Sequence, residues 1–167
     1  MCNKFSEVIL LKFGEVVLKG LNRSRFESLL IKDAKSRIKP FGKFDFQSIQ
    51  SVLYVKPCDE EALMNMDEAL IAASKVFGVM NVCRAAVVEK DMEVIKKACV
   101  EYLHDELAEA KTFKVESKRS DKNFPLKSPE ISALCGGAVL TEFNRLKVNV
   151  NNPDVTVRVE IRTDFAY

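Results

Sequence analysis

The chain reads as an α+β protein in two parts, a β-α-β-β-α-β unit followed by an α-β-α-β-β unit. Three observations predict this. Short apolar segments of strand length alternate with longer ones whose apolar residues recur every three or four positions. The two kinds follow one another in that order along all 167 residues. Capping and turn residues punctuate most of the changes. The first order is that of a ferredoxin-like arrangement, an antiparallel sheet with two helices on one face. A boundary after Gly78 divides the chain into residues 1–78 and 79–167.

Val8 to Phe13 is a short run rich in β-formers and predicts a buried strand. Glu15 to Asn22 reads as a loop, between Gly14 and a helix opened by the Ser24-Arg25-Phe26-Glu27 capping box. That helix places Phe26, Leu29, Leu30, Ala34 and Ile38 on one face, and Lys39-Pro40 stops it. Phe44 to Ile49 and Val52 to Lys56 predict a hairpin closed by Gln50-Ser51. Asp59-Glu60-Glu61 opens a second helix, with Leu63, Met66, Leu70, Ala73 and Phe77 as its apolar stripe and Gly78 as its stop. Val79 to Glu89 follows as a strand at the junction.

Beyond it, Asp91 caps a helix with Ile95, Ala98, Cys99, Tyr102, Leu103 and Leu107 on its core face. Thr112 to Lys118 alternates Phe113 and Val115 with Lys114 and Glu116, as a half-exposed strand does. After a polar loop, Ser128-Pro129-Glu130 predicts a helix start, a capping hydroxyl with proline in the first turn, and that helix runs to about Phe143. Lys147 to Val150 and Val155 to Ile161 are strands on either side of an Asn151-Asn152-Pro153-Asp154 turn.

Composition narrows the function. Hydrophobic residues make up 47% and charged residues 30%, the balance of a globular protein. The start shows no export signal and no apolar run approaches membrane-spanning length, so the expectation is a cytoplasmic protein. Five scattered cysteines and one histidine supply no zinc spacing, and buried, reduced thiols are expected. Net charge is only +2, yet cations concentrate from Lys19 to Lys43 and from Lys111 to Lys127. Two basic segments suggest a polyanion partner; on charge alone, a solvated surface with no partner is equally open.

Three segments carry a resemblance. Residues 11–23, with Gly14-Glu15, Leu18-Lys19-Gly20 and Asn22-Arg23, resemble the opening of the tRNA 4-thiouridine sulfurtransferases, the ThiI family. Thr112 to Pro125 with Ser128-Pro129-Glu130 resembles the RNA-binding segment of that family's THUMP domain. Gly136-Gly137, Asn152 to Val155 and Val157 to Arg162 are similar to its closing part. The resemblance implies a ferredoxin-like domain followed by a THUMP domain, together gripping the acceptor stem and 3′ end of tRNA. In the whole enzyme it implies 4-thiouridine formation at position 8 and sulfur supply for the thiamine thiazole. It also implies a cysteine desulfurase partner and a homodimer. The family's Ser-Gly-Gly-x-Asp-Ser pyrophosphate loop has no counterpart here. Gly136-Gly137 lies in a helical pattern without the flanking Ser or Asp, so ATP and Mg belong to a catalytic domain outside these residues and no catalytic residue is expected.

The expected tRNA contacts follow from both readings. Lys118, Arg119, Lys122 and Lys127 precede the helix start at Ser128, where free amides and the helix dipole favour phosphate. Phe124 either stacks on an unpaired base or plugs the core beneath the loop. Gly136 and Gly137 admit either RNA or a neighbouring strand. Arg158 and Arg162 share a sheet face and either extend the basic track or solubilise it. Lys19, Asn22, Arg23 and Arg25 form a second contact, while Lys32, Lys35 and Lys39 read as a solvated helix face. The competing readings are a metabolite-binding or protein-docking ferredoxin-like module, and the RNA-binding part of a different tRNA-modifying enzyme.

Overall fold

The computed structural model describes residues 5–14 and 23–167, without the side chain of Arg23. It separates into two compact units, Glu7–Ala85 and Ala86–Tyr167, the latter joined by Phe5 and Ser6. The division falls after Ala85 rather than after Gly78, because the strand that follows Gly78 completes the first sheet.

The first unit runs β1 (Ser6–Phe13), α1 (Arg23–Ile38), a 3-10 turn (Lys39–Phe41), β2 (Phe44–Ile49), β3 (Val52–Pro57), α2 (Glu60–Met64), α3 (Met66–Ser74) and β4 (Val79–Val87). The sheet order is β2-β3-β1-β4, with β3 antiparallel to both β1 and β2, as the ferredoxin-like pattern requires. Ile9, Leu11, Phe13, Leu53 and Val55 pack with Leu30, Ala34 and Ile38 of α1 and with Met66, Ala69 and Ala73 of α3. Arg84 on β4 donates to Glu7 of β1 from Nε (2.8 Å) and a terminal nitrogen (2.6 Å), and to Asp67 of α3 at 2.7 Å. The Glu7 bond, foremost, raises the guanidinium above its ordinary pKa.

Three local expectations change. α1 begins at Arg23, so Ser24 sits inside its first turn, and Glu27 accepts from the Ser48 hydroxyl at 2.5 Å instead of closing a capping box. The second helix breaks at Asn65, whose side-chain amide reaches the Phe41 carbonyl at 3.2 Å. Its buried face is Ala62, Met66, Ala69, Ala73 and Val76, leaving Leu63 and Phe77 in solvent. Small side chains let it lie close to its neighbours: a Cβ on Gly42, itself at φ 124°, would meet the Ala62 nitrogen at 2.4 Å.

The second unit runs α4 (Met92–Glu101), α5 (His104–Glu109), β5 (Thr112–Arg119), α6 (Ser128–Glu142), β6 (Lys147–Val148) and β7 (Val155–Ile161). One expected helix is two, α4 and α5. Asp91 caps α4 by accepting from the amides of Glu93 and Val94. Arg145 closes the far end of α5 by donating to the carbonyls of Leu107, Ala108 and Ala110. Strand order is β6-β5-β7, with β5 parallel to both neighbours. Phe113, Val157, Val159 and Ile161 pack with Ile131, Cys135 and Val139 of α6. Asp154 accepts from the amides of Lys111 and Thr112 at 2.9 and 2.8 Å, which fixes the turn before β7.

The β2–β3 hairpin turns through Gln50 (φ 49°) and Ser51 (φ 66°), two non-glycine residues in the left-handed region. Two-residue hairpins favour positive φ at both positions because it matches strand twist, but an L side chain is disfavoured there. Ser51→Gly is therefore expected to raise unfolding stability by about 0.5–1 kcal/mol, part of the relief being offset by glycine's larger entropy loss. Urea unfolding monitored by circular dichroism checks this; an unchanged or lowered midpoint contradicts it.

Candidate nucleic-acid interface

The loop between β5 and α6 is held from several sides. The amides of Ser120 and Asp121 both donate to the Ile161 carbonyl, at 2.8 and 3.4 Å. The Asp121 carboxylate accepts from the Asn123 amide (2.9 Å) and from Lys90 Nζ (2.7 Å), and Lys90 also donates to the Thr163 carbonyl. Arg119 donates to the carbonyls of Phe124 (3.0 Å) and Lys122 (3.5 Å). Phe124 is only 7% exposed, packed in the core of the unit.

This geometry redistributes the expected contacts. The Phe124 ring lies in the core, out of reach of a base, with Leu126 packed partly buried beside the same core, so the apolar residues of this polar loop serve as its anchor. Arg119 folds back on the loop's own carbonyls. The Ser128 hydroxyl accepts from the Arg119 amide at 3.2 Å instead of capping α6, whose N-cap is Lys127. The Lys127 amide in turn donates to Glu130 Oε2 at 2.7 Å, so a carboxylate already stands at the helix start. What faces solvent is Lys118, Lys122 and Lys127. Among the described residues, none of the three has a carboxylate partner.

Arg158 and Arg162 do lie on one sheet face, but register places acids beside them. Glu116 is opposite Arg158, and Glu160 is opposite Lys118. Glu116 takes Lys114 at 2.6 Å and Arg158 at 3.6 Å. Those cations, Lys114 first, hold its carboxyl below the usual range. Arg162, with 11% of its side chain exposed, pairs with Glu160 at 2.9 Å. This face is charge-compensated and does not extend a basic track.

Gly136 and Gly137 sit in the middle of α6. A Cβ on Gly136 would make ordinary contact with Val115 at 3.7 Å, and one on Gly137 would meet nothing within 4 Å. A close neighbouring strand therefore does not account for Gly137. Helical amides are also no cradle for pyrophosphate, and these residues do not fit an ATP loop. Among the described residues no group of three His, Cys, Asp or Glu could hold a metal. Cys99 and Cys135 are buried as expected, but Cys58 is exposed and Cys83 half-buried. No described helix is long and apolar enough to cross a membrane.

In the first unit, Lys19 and Asn22, like the Arg23 side chain, lie outside the described residues. Arg25, Lys32 and Lys39 are exposed on or just after α1. Arg37 is paired with Asp33 at 2.9 Å, and Lys35 lies 5.5 Å from the centre of the Phe46 ring. Sequence reasoning missed the anchors of the loop, Lys90 and Asp121. Their separation of 31 positions left no periodic signal.

Residues 8–83 match the ThiI ferredoxin-like domain and residues 89–167 match the THUMP domain. A protein of Acetivibrio thermocellus named "Probable tRNA sulfurtransferase" is 42% identical over 163 residues, covering 96% of this chain and 41% of that relative. A 4-thiouridine synthetase solved as an RNA complex with bound ATP superposes with a TM-score of 0.78 at 28% identity, covering 96% of this chain and 40% of that one. PH1313 from Pyrococcus horikoshii Ot3 superposes with a TM-score of 0.82 at 25% identity, over 96% of this chain and 52% of its own. The chain spans about two fifths of the length of the curated relatives it matches.

Two outcomes are expected from this geometry. Lys90, and then the Asn123 amide, hold the Asp121 carboxyl below its ordinary pKa. The stabilisation is thus present above the unfolded value of about 3.9 and is lost as pH falls through the lower folded value. The Asp121 carboxyl carbon shift should titrate with a midpoint below that of an unperturbed aspartate, about 3.9. A midpoint above 4 contradicts the Lys90 lock. Gly137→Ala should raise thermal stability by about 1 kcal/mol, the helix-propensity difference, since the new methyl meets no neighbour.

Proposed function

The chain joins a ThiI ferredoxin-like domain to a THUMP domain, and on that premise we propose that it is the tRNA-gripping part of a tRNA uracil 4-sulfurtransferase. The relatives that align along both units carry that enzyme's name, and one similar structure was solved with RNA. The observation that carries the reading is the locked loop with Lys118, Lys122 and Lys127 turned outward. Backbone order is already in place before any ligand arrives, so binding a phosphate need not order the loop. Lysines act on phosphate as point charges, which sets position and affinity without reading bases. The acceptor stem and 3′ end of tRNA are the ligand this reading assigns. Exposed Gly137 lets a ribose-phosphate chain approach α6 closely. Uridine adenylation, with its ATP and Mg, is assigned to another part of such an enzyme.

Each phosphate contact releases counterions, so the affinity for tRNA should fall steeply with salt. Changing Lys118, Lys122 and Lys127 together to alanine should flatten the plot of log K against log salt by about 2–3 units and weaken binding at low salt. Anisotropy titrations with a labelled tRNA transcript at several salt concentrations measure this. An unchanged slope would remove the loop from the interface.

A further inference from the structure

The first unit leaves a large aromatic ring in water where the sequence pattern puts it in the core. Phe77, just past α3, is 83% exposed, and Met80 at the start of β4 is 78% exposed. They belong to one cluster. The Phe77 ring lies 6.5 Å from that of Phe26 on α1, tilted by 56°. Gly78 lies against Phe26 and Leu30, and Met80 lies against Gly14, whose amide donates to the Gly78 carbonyl. The φ of 89° at Gly78 turns the chain sharply after Phe77.

Two exposed cations lie close by in the chain. Lys75 precedes Phe77 by two residues, and Arg25 precedes Phe26; both are exposed, and among the described residues neither has a carboxylate partner. Of the acids on α1 and at the start of α3, Glu27 beside Phe26 bonds the Ser48 hydroxyl, Asp33 pairs with Arg37 and Asp67 with Arg84, while Glu68 is exposed. An apolar ring flanked by unpaired cations suits a ligand with flat faces and negative links, which is what an unpaired stretch of nucleic acid offers.

The geometry points to a second RNA contact on the first unit, in which Phe77 stacks on an unpaired base while Arg25 and Lys75 take the adjoining phosphates. This rests on the RNA-binding reading above and adds to it a contact for single-stranded nucleotides.

The test uses the whole chain and two labelled RNAs of equal length, a fully paired hairpin and an oligouridylate. Phe77→Leu is expected to weaken the oligouridylate about tenfold, with no change in salt slope and no change for the hairpin. Phe77→Trp should restore the loss. Arg25→Gln with Lys75→Gln should lower the oligouridylate salt slope by about 1–2 units. Wild-type affinity in Phe77→Leu, or equal weakening of both RNAs, overturns the stacking contact. So does a change in self-association on sedimentation with RNA binding intact, which would assign the cluster to a second copy of the chain. If the Lys118, Lys122, Lys127 variant loses binding while Phe77→Leu does not, the grip stands and the stacking contact falls. If the wild-type chain binds neither RNA, both fall.

Discussion

Arg119 is the constraint on which the candidate interface depends. Its guanidinium bonds two carbonyls of the loop that follows it, and its amide bonds the Ser128 hydroxyl where the loop ends. One residue thus joins the exit of β5 to the entry of α6. Phe124 adds the hydrophobic anchor, and Asp121 with Lys90 ties the loop to the segment before α4. A polar loop without these links would sample many conformations, and any ligand would have to select among them. Here the backbone is set, and only lysine side chains remain to be ordered.

The same logic separates cations that hold the fold from cations available to a ligand. Arg84, Arg119, Arg145 and Arg162 all donate to internal carbonyls or carboxylates. Their planar, multidentate guanidinium groups can satisfy several acceptors at once. Lys118, Lys122 and Lys127 stay in solvent, where a compact, well-hydrated ammonium on a flexible stem is at little disadvantage. The second unit uses arginine mostly for architecture and lysine mostly for its surface. Lys90 is an exception, held between Asp121 and Thr163.

Most of the architecture was legible from periodicity. Strand and helix segments emerge in the expected order, and β1 and β3 are as buried as their unbroken apolar runs imply. What escaped was non-local. The stripe on α3 shifted because Ala62, Ala69 and Ala73 lie where close packing is needed, and alanine carries a weak hydrophobic signal. The capping box at Ser24 satisfied a local rule, but Glu27 had a better partner in Ser48, 21 positions away. At the interface, sequence counted cations correctly without showing which would meet an acceptor. Arg162 looked like Arg158 in the alternation, yet only a folded sheet reveals that Glu160 keeps it from solvent. Phe124 was open between base and core for the same reason: a lone aromatic in a polar loop fits both.

The near-neutral charge of the chain bears on how such a surface would act. At +2 overall, there is little long-range field to steer a polyanion, and at physiological salt a screened charge is felt over only about 8 Å. Attraction is therefore local, confined to places where lysines stand clear of carboxylates. On the β5–β7 face, Glu116 compensates Lys114 and Arg158, and Glu160 compensates Arg162. A phosphate backbone sliding over the second unit would find no continuous basic track there, only the loop before α6. On the proposed reading, compensation elsewhere would do as much to define a binding place as the free lysines, because a uniformly basic unit would hold RNA in many registers and position none of them.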